Sequence, residues 1–196
     1  MTSLDALSDR EIYERAAADD DQAFAVLIGR YKAPVFAFIR RYVGAHEDAY
    51  DLSQQVFIAA WQSLASYDPD RPLGPWLTTI ALNKCRDHSR KAKVRRFFQF
   101  AWPVDAVDVP DTAPNAHQAM NADEELMLLD KAIGQLPRAL KEPLLLTVFE
   151  GLSHAEAGAE LGITAKAIEG RTRRAREALE HQINAQSNNV LERKRT

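Results

Sequence analysis

The side chains with chemistry to offer are cations set at helical spacing. Between residues 84 and 96 stand Lys84, Arg86, Arg90, Lys91, Lys93, Arg95 and Arg96, against one acid, Asp87. A second group, Lys166, Arg171, Arg173, Arg174 and Arg176, lies near the C-terminus. From Phe97 to Asp130 there is no Lys or Arg, and the acids there are Asp105, Asp108, Asp111, Asp123, Glu124, Glu125 and Asp130. Two cationic patches parted by an acidic stretch suit two grips on one polyanion. Taken singly, each run could equally be a solvated helix face. Arginine fits the gripping role because its planar fork bridges guanine acceptors or holds a phosphate at two points.

Bond-making chemistry has no comparable footprint. His46, His88, His117, His154 and His181 have no metal-ligand spacing with the lone cysteine, Cys85. There is no phosphate-binding glycine loop, no ordered nucleophile motif and no catalytic carboxylate pair. The sequence therefore predicts no catalytic residue, no metal and no cofactor.

The bulk composition agrees with a folded, soluble chain. Of 196 residues, 46% are hydrophobic and 27% charged, and the net charge of -3 conceals the asymmetry above. No run of about 18 apolar residues is present, so no membrane-spanning helix is expected. Met1 to Asp21 is acidic and lacks a basic-then-apolar leader. A single cysteine fits a reducing, cytoplasmic setting.

The elements that must position the cations read as helices throughout, an all-α protein. Ser8 and Glu11 form a capping-box pattern that opens a helix to about Ala18. Phe24, Leu27, Ile28, Tyr31, Val35, Phe38, Ile39 and Tyr42 mark one face of a long helix, with a bend expected at Pro34 and a stop at Gly44. A third helix spans about Glu47 to Leu64. A turn follows at 67–72, and Gly74-Pro75 starts a fourth helix, which carries the first cationic run to about Arg95. Residues 96–122 hold Pro103, Pro110 and Pro114 and read as a flexible acidic linker. Helical spacing returns from about Ala122 to Leu136, breaks at Pro137 and resumes to Phe149.

Residues 151–180 carry the sharpest local pattern. Ser153 with Glu156 caps a short helix, His154 to Leu161; Gly162 turns the chain; Thr164 caps a second helix to about Glu180. Two helices about such a turn form a helix-turn-helix, whose second helix enters the DNA major groove. At about 100° per residue, Ile168, Thr172, Ala175 and Leu179 face inward, while Lys166, Gly170 and Arg173 face outward. Glu169 either accepts from a cytosine amino group or pairs with Arg173 one turn on.

The first block carries a family resemblance. Asp48-Ala49-Tyr50-Asp51-Leu52-Ser53-Gln54-Gln55-Val56-Phe57, Trp61, Tyr67-Asp68-Pro69, Pro75-Trp76-Leu77 and Ile80-Ala81-Leu82-Asn83 resemble region 2 of bacterial sigma factors. The likeness is to the extracytoplasmic-function (ECF) group of the sigma-70 family. Gly151-Leu152-Ser153, Leu161-Gly162-Ile163, Arg171 and Arg174-Ala175-Arg176 resemble region 4 of the same group.

The resemblance implies two small helical domains: a region 2-like bundle over 8–95 and a region 4-like domain over 123–183, joined by the 96–122 linker and followed by a polar tail over 184–196. It implies a transcription initiation factor that binds core RNA polymerase, directs it to promoter DNA and helps open the duplex. In region 4 the implied -35 contacts are Thr164, Lys166, Glu169, Gly170, Arg171, Arg173, Arg174 and Arg176. In region 2 the implied -10 contacts are Tyr67, Asp70, Arg71, Asn83, Arg86 and Arg90. The polymerase contacts fall on the third helix at Asp48, Asp51, Gln54, Gln55 and Ile58; Ile58 is apolar on an otherwise polar stripe. An anti-sigma factor is a further implied partner, which could hold a cytoplasmic protein near the membrane without inserting it. A stand-alone helix-turn-helix regulator would explain 151–180 but give 47–95 no task. A nuclease would need an acidic metal cluster that the sequence lacks.

Overall fold

The computed structural model describes residues 4–101 and 122–193. These are helical, with no strand among the described residues. Ser8 closes the expected reciprocal cap: its Oγ accepts from the Glu11 N–H at 3.3 Å, and its own N–H donates to the Glu11 carboxylate at 2.7 Å. That cap opens α1 (Asp9–Ala16). Asp20 then caps α2 (Asp21–Val43) by accepting from the N–H groups of Gln22 and Ala23. The helix continues through Pro34 and stops at Gly44, whose φ of 75° lies in the left-handed region. Next come α3 (His46–Ser63), a tight turn at Leu64–Ser66 and α4 (Leu73–Ala101).

The central element is α2, against which α1, α3 and α4 pack. Leu27, Phe38, Ile39, Val56, Leu77 and Leu82 are almost wholly buried there, each contributing roughly 1.5–3 kcal/mol by leaving water. By length and composition alone α2 could cross a membrane, unlike the expectation from counting apolar runs. Its packing on several neighbours, and Arg30, Lys32, Arg40 and Arg41 within it, mark it as a core helix.

The second block comprises α5 (Ala122–Gln135), α6 (Arg138–Leu144), a π-helical segment at Leu145–Phe149, α7 (His154–Leu161) and α8 (Ala165–Arg193). Its core is Ile133, Leu144, Leu145, Leu146, Ala157, Ile168 and Ala175. The blocks are in contact: α5 lies along α2, and the backbones of Gly44 and Gly134 meet closely enough that a Cβ on Gly134 would sit 2.7 Å from the Gly44 Cα.

Two helices outrun the reading from sequence. The fourth was expected to end near Arg95 and continues to Ala101, where the described residues of this block end. The last was expected to end near Glu180, before a tail at 184–196, and continues to Arg193; no Gly or Pro interrupts 171–193. Most of the linker expected at 96–122 lies outside the described residues, as do the last three residues of the tail.

Candidate nucleic-acid and polymerase interfaces

The helix-turn-helix is built as its residue types require. Ser153 Oγ accepts from the Glu156 N–H at 3.2 Å, and the Glu156 carboxylate takes the Ser153 N–H at 2.8 Å. That hydrogen bonding holds the Glu156 carboxyl below the usual carboxylate range. Gly162 closes α7 at φ 67°, and Thr164 Oγ1 accepts from the Ala167 N–H at 3.2 Å to open α8. Gly158 was not singled out from sequence. A Cβ there would stand 2.6 Å from the Ile163 carbonyl oxygen, so a residue without one is what lets α7 approach the turn.

On α8 the inward face is as expected: Ile168, Thr172, Ala175 and Leu179 are buried. Outward, Thr164, Lys166, Glu169, Arg173, Arg174 and Arg176 are exposed, and Gly170 and Arg171 are half-buried. Gly170 has open space at its missing Cβ. Arg173 pairs with Glu177 at 3.4 Å rather than with Glu169, and Arg174 Nε donates to the Gly170 carbonyl. The result is a cationic helix face projecting from a packed three-helix support, the arrangement that enters a major groove.

On α3 the polar stripe is likewise presented to solvent. Asp48, Asp51, Gln54, Gln55 and Ile58 are all exposed, Ile58 to 57%. Leu52, Val56, Phe57 and Ala60 fill the opposite side. Tyr50, exposed to 59%, adds apolar area beside them. Asp48 lies 3.6 Å from His88 Nε2 of α4.

The expected -10 residues do not form one free surface. Tyr67 is 7% exposed: its ring packs on Tyr13 and Trp76, and its hydroxyl donates to the Arg71 carbonyl. It is a core residue that shapes the 67–72 turn, not an open base platform. The aromatic cluster wins because three rings at 4.8 Å centroid spacing bury more area than one ring at a surface could. Asp70 and Arg71 are exposed, with Asp70 bound to Arg10 at 2.9 Å. Asn83 and Arg90 are exposed on α4, Arg90 pairing with Asp87.

Arg86 departs furthest from expectation. Its Nε donates to Glu142 Oε1 at 2.9 Å and its Nη2 to Oε2 at 2.8 Å, a two-point ion pair reaching α6. Glu142 is 4% exposed and also accepts from the Tyr42 hydroxyl at 3.0 Å and Arg138 Nε at 2.7 Å. Burial alone would raise the Glu142 carboxyl. The hydrogen bond and charge of Arg86, with Tyr42 and Arg138, overcome that and hold it below the usual range. Beneath this pair Cys85 is fully buried, and burial pushes its thiol up to about 12, so it packs as a small hydrophobe.

No three His, Cys, Asp or Glu side chains gather around a metal-sized site among the described residues. Fold and surfaces together define a two-module helical protein with an exposed cationic face on α8 and a mixed polar-apolar exposed face on α3.

Comparison with known proteins sharpens that class. The Sigma-70 region 2 family matches residues 27–95, and the Sigma-70, region 4 family matches residues 126–179. The chain is 36% identical over 171 residues to RNA polymerase sigma factor NccH of Alcaligenes xylosoxydans xylosoxydans, covering 87% of this chain and 92% of that one. It is 35% identical over 184 residues to RNA polymerase sigma factor CnrH of Cupriavidus metallidurans, covering 92% and 96%. The solved structure of CnrH in complex with the cytosolic domain of CnrY is similar at a TM-score of 0.64 and 32% identity, over 90% of this chain and 97% of that one. Sigma factor RpoE of Bartonella quintana, solved with the anti-sigma factor NepR, is similar at 0.61 and 25%, over 82% and 96%. The chain belongs to the sigma-70 family, in its extracytoplasmic-function group, and is an alternative sigma factor of transcription initiation.

Proposed function

We propose that this sigma factor divides promoter recognition between its two modules and works by binding alone, leaving bond chemistry to the polymerase. The outward face of α8 reads -35 DNA. Arg173, Arg174 and Arg176 are the strongest candidates, because exposed guanidinium forks can meet both base edges and phosphates. Lys166, Glu169, Gly170 and Arg171 flank them, and Thr164 stands at the helix N-terminus, where phosphates favour the backbone N–H groups. On the first module, Asn83, Arg86 and Arg90 of α4 meet the -10 strand, with Asp70 and Arg71 at the adjoining turn. The exposed stripe of α3, Asp48, Asp51, Gln54, Gln55 and Ile58, docks on core polymerase. The proposed boundaries are 8–95 for the first module and 123–183 for the second.

CnrH and RpoE were each captured with a partner protein, CnrY and the anti-sigma factor NepR. We extend that class of partner to this chain, with a cytoplasmic location. The observation that carries the whole reading is the pair of modules on one chain, each with an exposed cationic helix face. Purified protein added to core polymerase is expected to start transcription at a defined site on templates carrying its -35 and -10 elements. Genome-wide mapping of transcript starts after overexpression supplies those templates. Operator binding with no polymerase association would instead mean a stand-alone regulator.

A further inference from the structure

The loop that joins α3 to α4 is held from one side by α1. Pro69 and Pro72 fix two of its φ angles. The Asp70 N–H donates to Asp68 Oδ1 at 3.1 Å and the Arg71 N–H to the Asp68 carbonyl at 3.0 Å, so residues 68–71 form a stiff turn. A stiff turn needs few anchors to fix how it sits on the module. Two come from α1. The Tyr13 hydroxyl donates to the Tyr67 carbonyl at 3.3 Å, and its ring meets the Tyr67 ring edge-on. Arg10 Nη1 donates to Asp70 Oδ1 at 2.9 Å, while its Nε donates to Glu14, one turn on, at 3.1 Å, which steadies the fork.

The helix α1 is itself pinned to the centre of the module. Asp9, in its first turn, accepts from Arg30 Nη1 at 2.8 Å and from the Tyr31 hydroxyl at 2.5 Å, both on α2. Arg30 Nη2 donates in addition to the Leu7 carbonyl at 2.6 Å. A continuous path of contacts thus runs from the central helix through α1 to the tip of the loop. Arg10 and Tyr13 both precede the stretch that the region 2 family matches, 27–95.

We propose that α1 is a strut for -10 recognition, in which Arg10 and Tyr13 are positioning residues that set the 67–71 turn, and Asp70 on it, in the shape that receives the unpaired strand. The inference rests on the assignment of Asp70 and Arg71 to that strand. A carboxylate can accept from the exocyclic amino group of a base, but it also repels the neighbouring phosphates. Arg10 acts on both. Its charge offsets that of Asp70, and its fork fixes one carboxylate oxygen while the Asp70 side chain stays 80% exposed. Tyr13 acts on the backbone. With the Tyr67 carbonyl held, the turn is already ordered when DNA arrives, and less binding free energy is lost to ordering it.

The test uses the full chain assembled with core polymerase. The probe is fork DNA carrying the single-stranded -10 element of a promoter mapped from its transcript starts. Arg10→Ala removes the charge and the fork; Tyr13→Phe keeps the buried ring and removes only the donor to the Tyr67 carbonyl. Each is expected to weaken fork binding by about three- to tenfold, with native polymerase affinity, native -35 duplex binding and native helical circular dichroism. Arg10→Lys should restore most of the affinity. A double-mutant cycle separates positioning from direct contact with a phosphate. If Arg10 acts through Asp70, Arg10→Ala costs nothing further in the Asp70→Ala chain. Native-like fork binding by either Arg10→Ala or Tyr13→Phe overturns the strut. So does an Arg10→Ala penalty of the same size with and without Asp70. Failure of the underlying assignment reads differently: Asp70→Ala holoenzyme that binds the fork as native holoenzyme does removes the turn from the -10 site, and the strut with it.

Discussion

Arg86 on α4 and Glu142 on α6 form a two-point ion pair at 2.9 and 2.8 Å, although 56 residues and the whole linker separate them in sequence. The pair ties the stability of the module contact to pH. Glu142 titrates below the ordinary 4.5 for its type, held there against burial by Arg86 first, then Tyr42 and Arg138. A carboxyl depressed in the folded state contributes stability above its unfolded pKa and loses it as the pH falls through the folded value. The urea midpoint of the native chain should therefore fall as pH drops below about 4.5, the unfolded reference for glutamate. The Glu142→Gln chain should show a visibly shallower fall. Parallel curves for the two would mean that other carboxylates set the acid limit.

The turn of the helix-turn-helix depends on Gly158. A methyl at this buried position would stand 2.6 Å from the Ile163 carbonyl oxygen, so Gly158→Ala forces the backbone apart. The expected cost is roughly 1–3 kcal/mol, read as a lowered urea midpoint. Binding to -35 duplex should weaken while polymerase binding through α3 persists. A variant as stable as the native chain would show that the turn yields without cost.

Arg173 separates DNA recognition from fold. It is exposed, and its ion pair to Glu177 is at the surface and contributes little to stability. Arg173→Glu should weaken -35 duplex binding by about 1–3 kcal/mol or more in fluorescence anisotropy, with an unchanged melting temperature. Lys166→Ala should act more evenly across sequences and lower the salt slope by about one. Equal binding by the native and Arg173→Glu chains would move the reading face elsewhere on α8.

Ile58 is the corresponding test on α3. At 57% exposure its side chain supports no core, so Ile58→Glu should leave folding intact. Burying that charge in a protein interface should reduce core polymerase affinity by on the order of tenfold or more, measured by surface plasmon resonance. Retained affinity would remove α3 from the docking surface.

Local rules made much of this protein legible from sequence. The two Ser-Glu capping boxes, the left-handed stops at Gly44 and Gly162 and the Thr164 cap depend on residues within a few positions of one another. The buried stripe Ile168, Thr172, Ala175, Leu179 and the exposed stripe of α3 follow from helical period alone. The all-helical class, the helix-turn-helix and the family motifs are of this kind.

What tertiary structure decided is which side chains are already taken. Tyr67 sits beside a turn, where its sequence neighbours suggest access, yet Tyr13 from α1 and Trp76 from α4 enclose it. Arg86 shares a face of α4 with exposed Asn83, and helical period cannot show that Glu142 reaches it from across the linker. Gly134 gives no turn signal at all, because its role is to admit Gly44 of another helix. Period and capping arise from bonds between near neighbours and are written in order along the chain; burial and ion pairing arise between surfaces that meet only once the chain has folded.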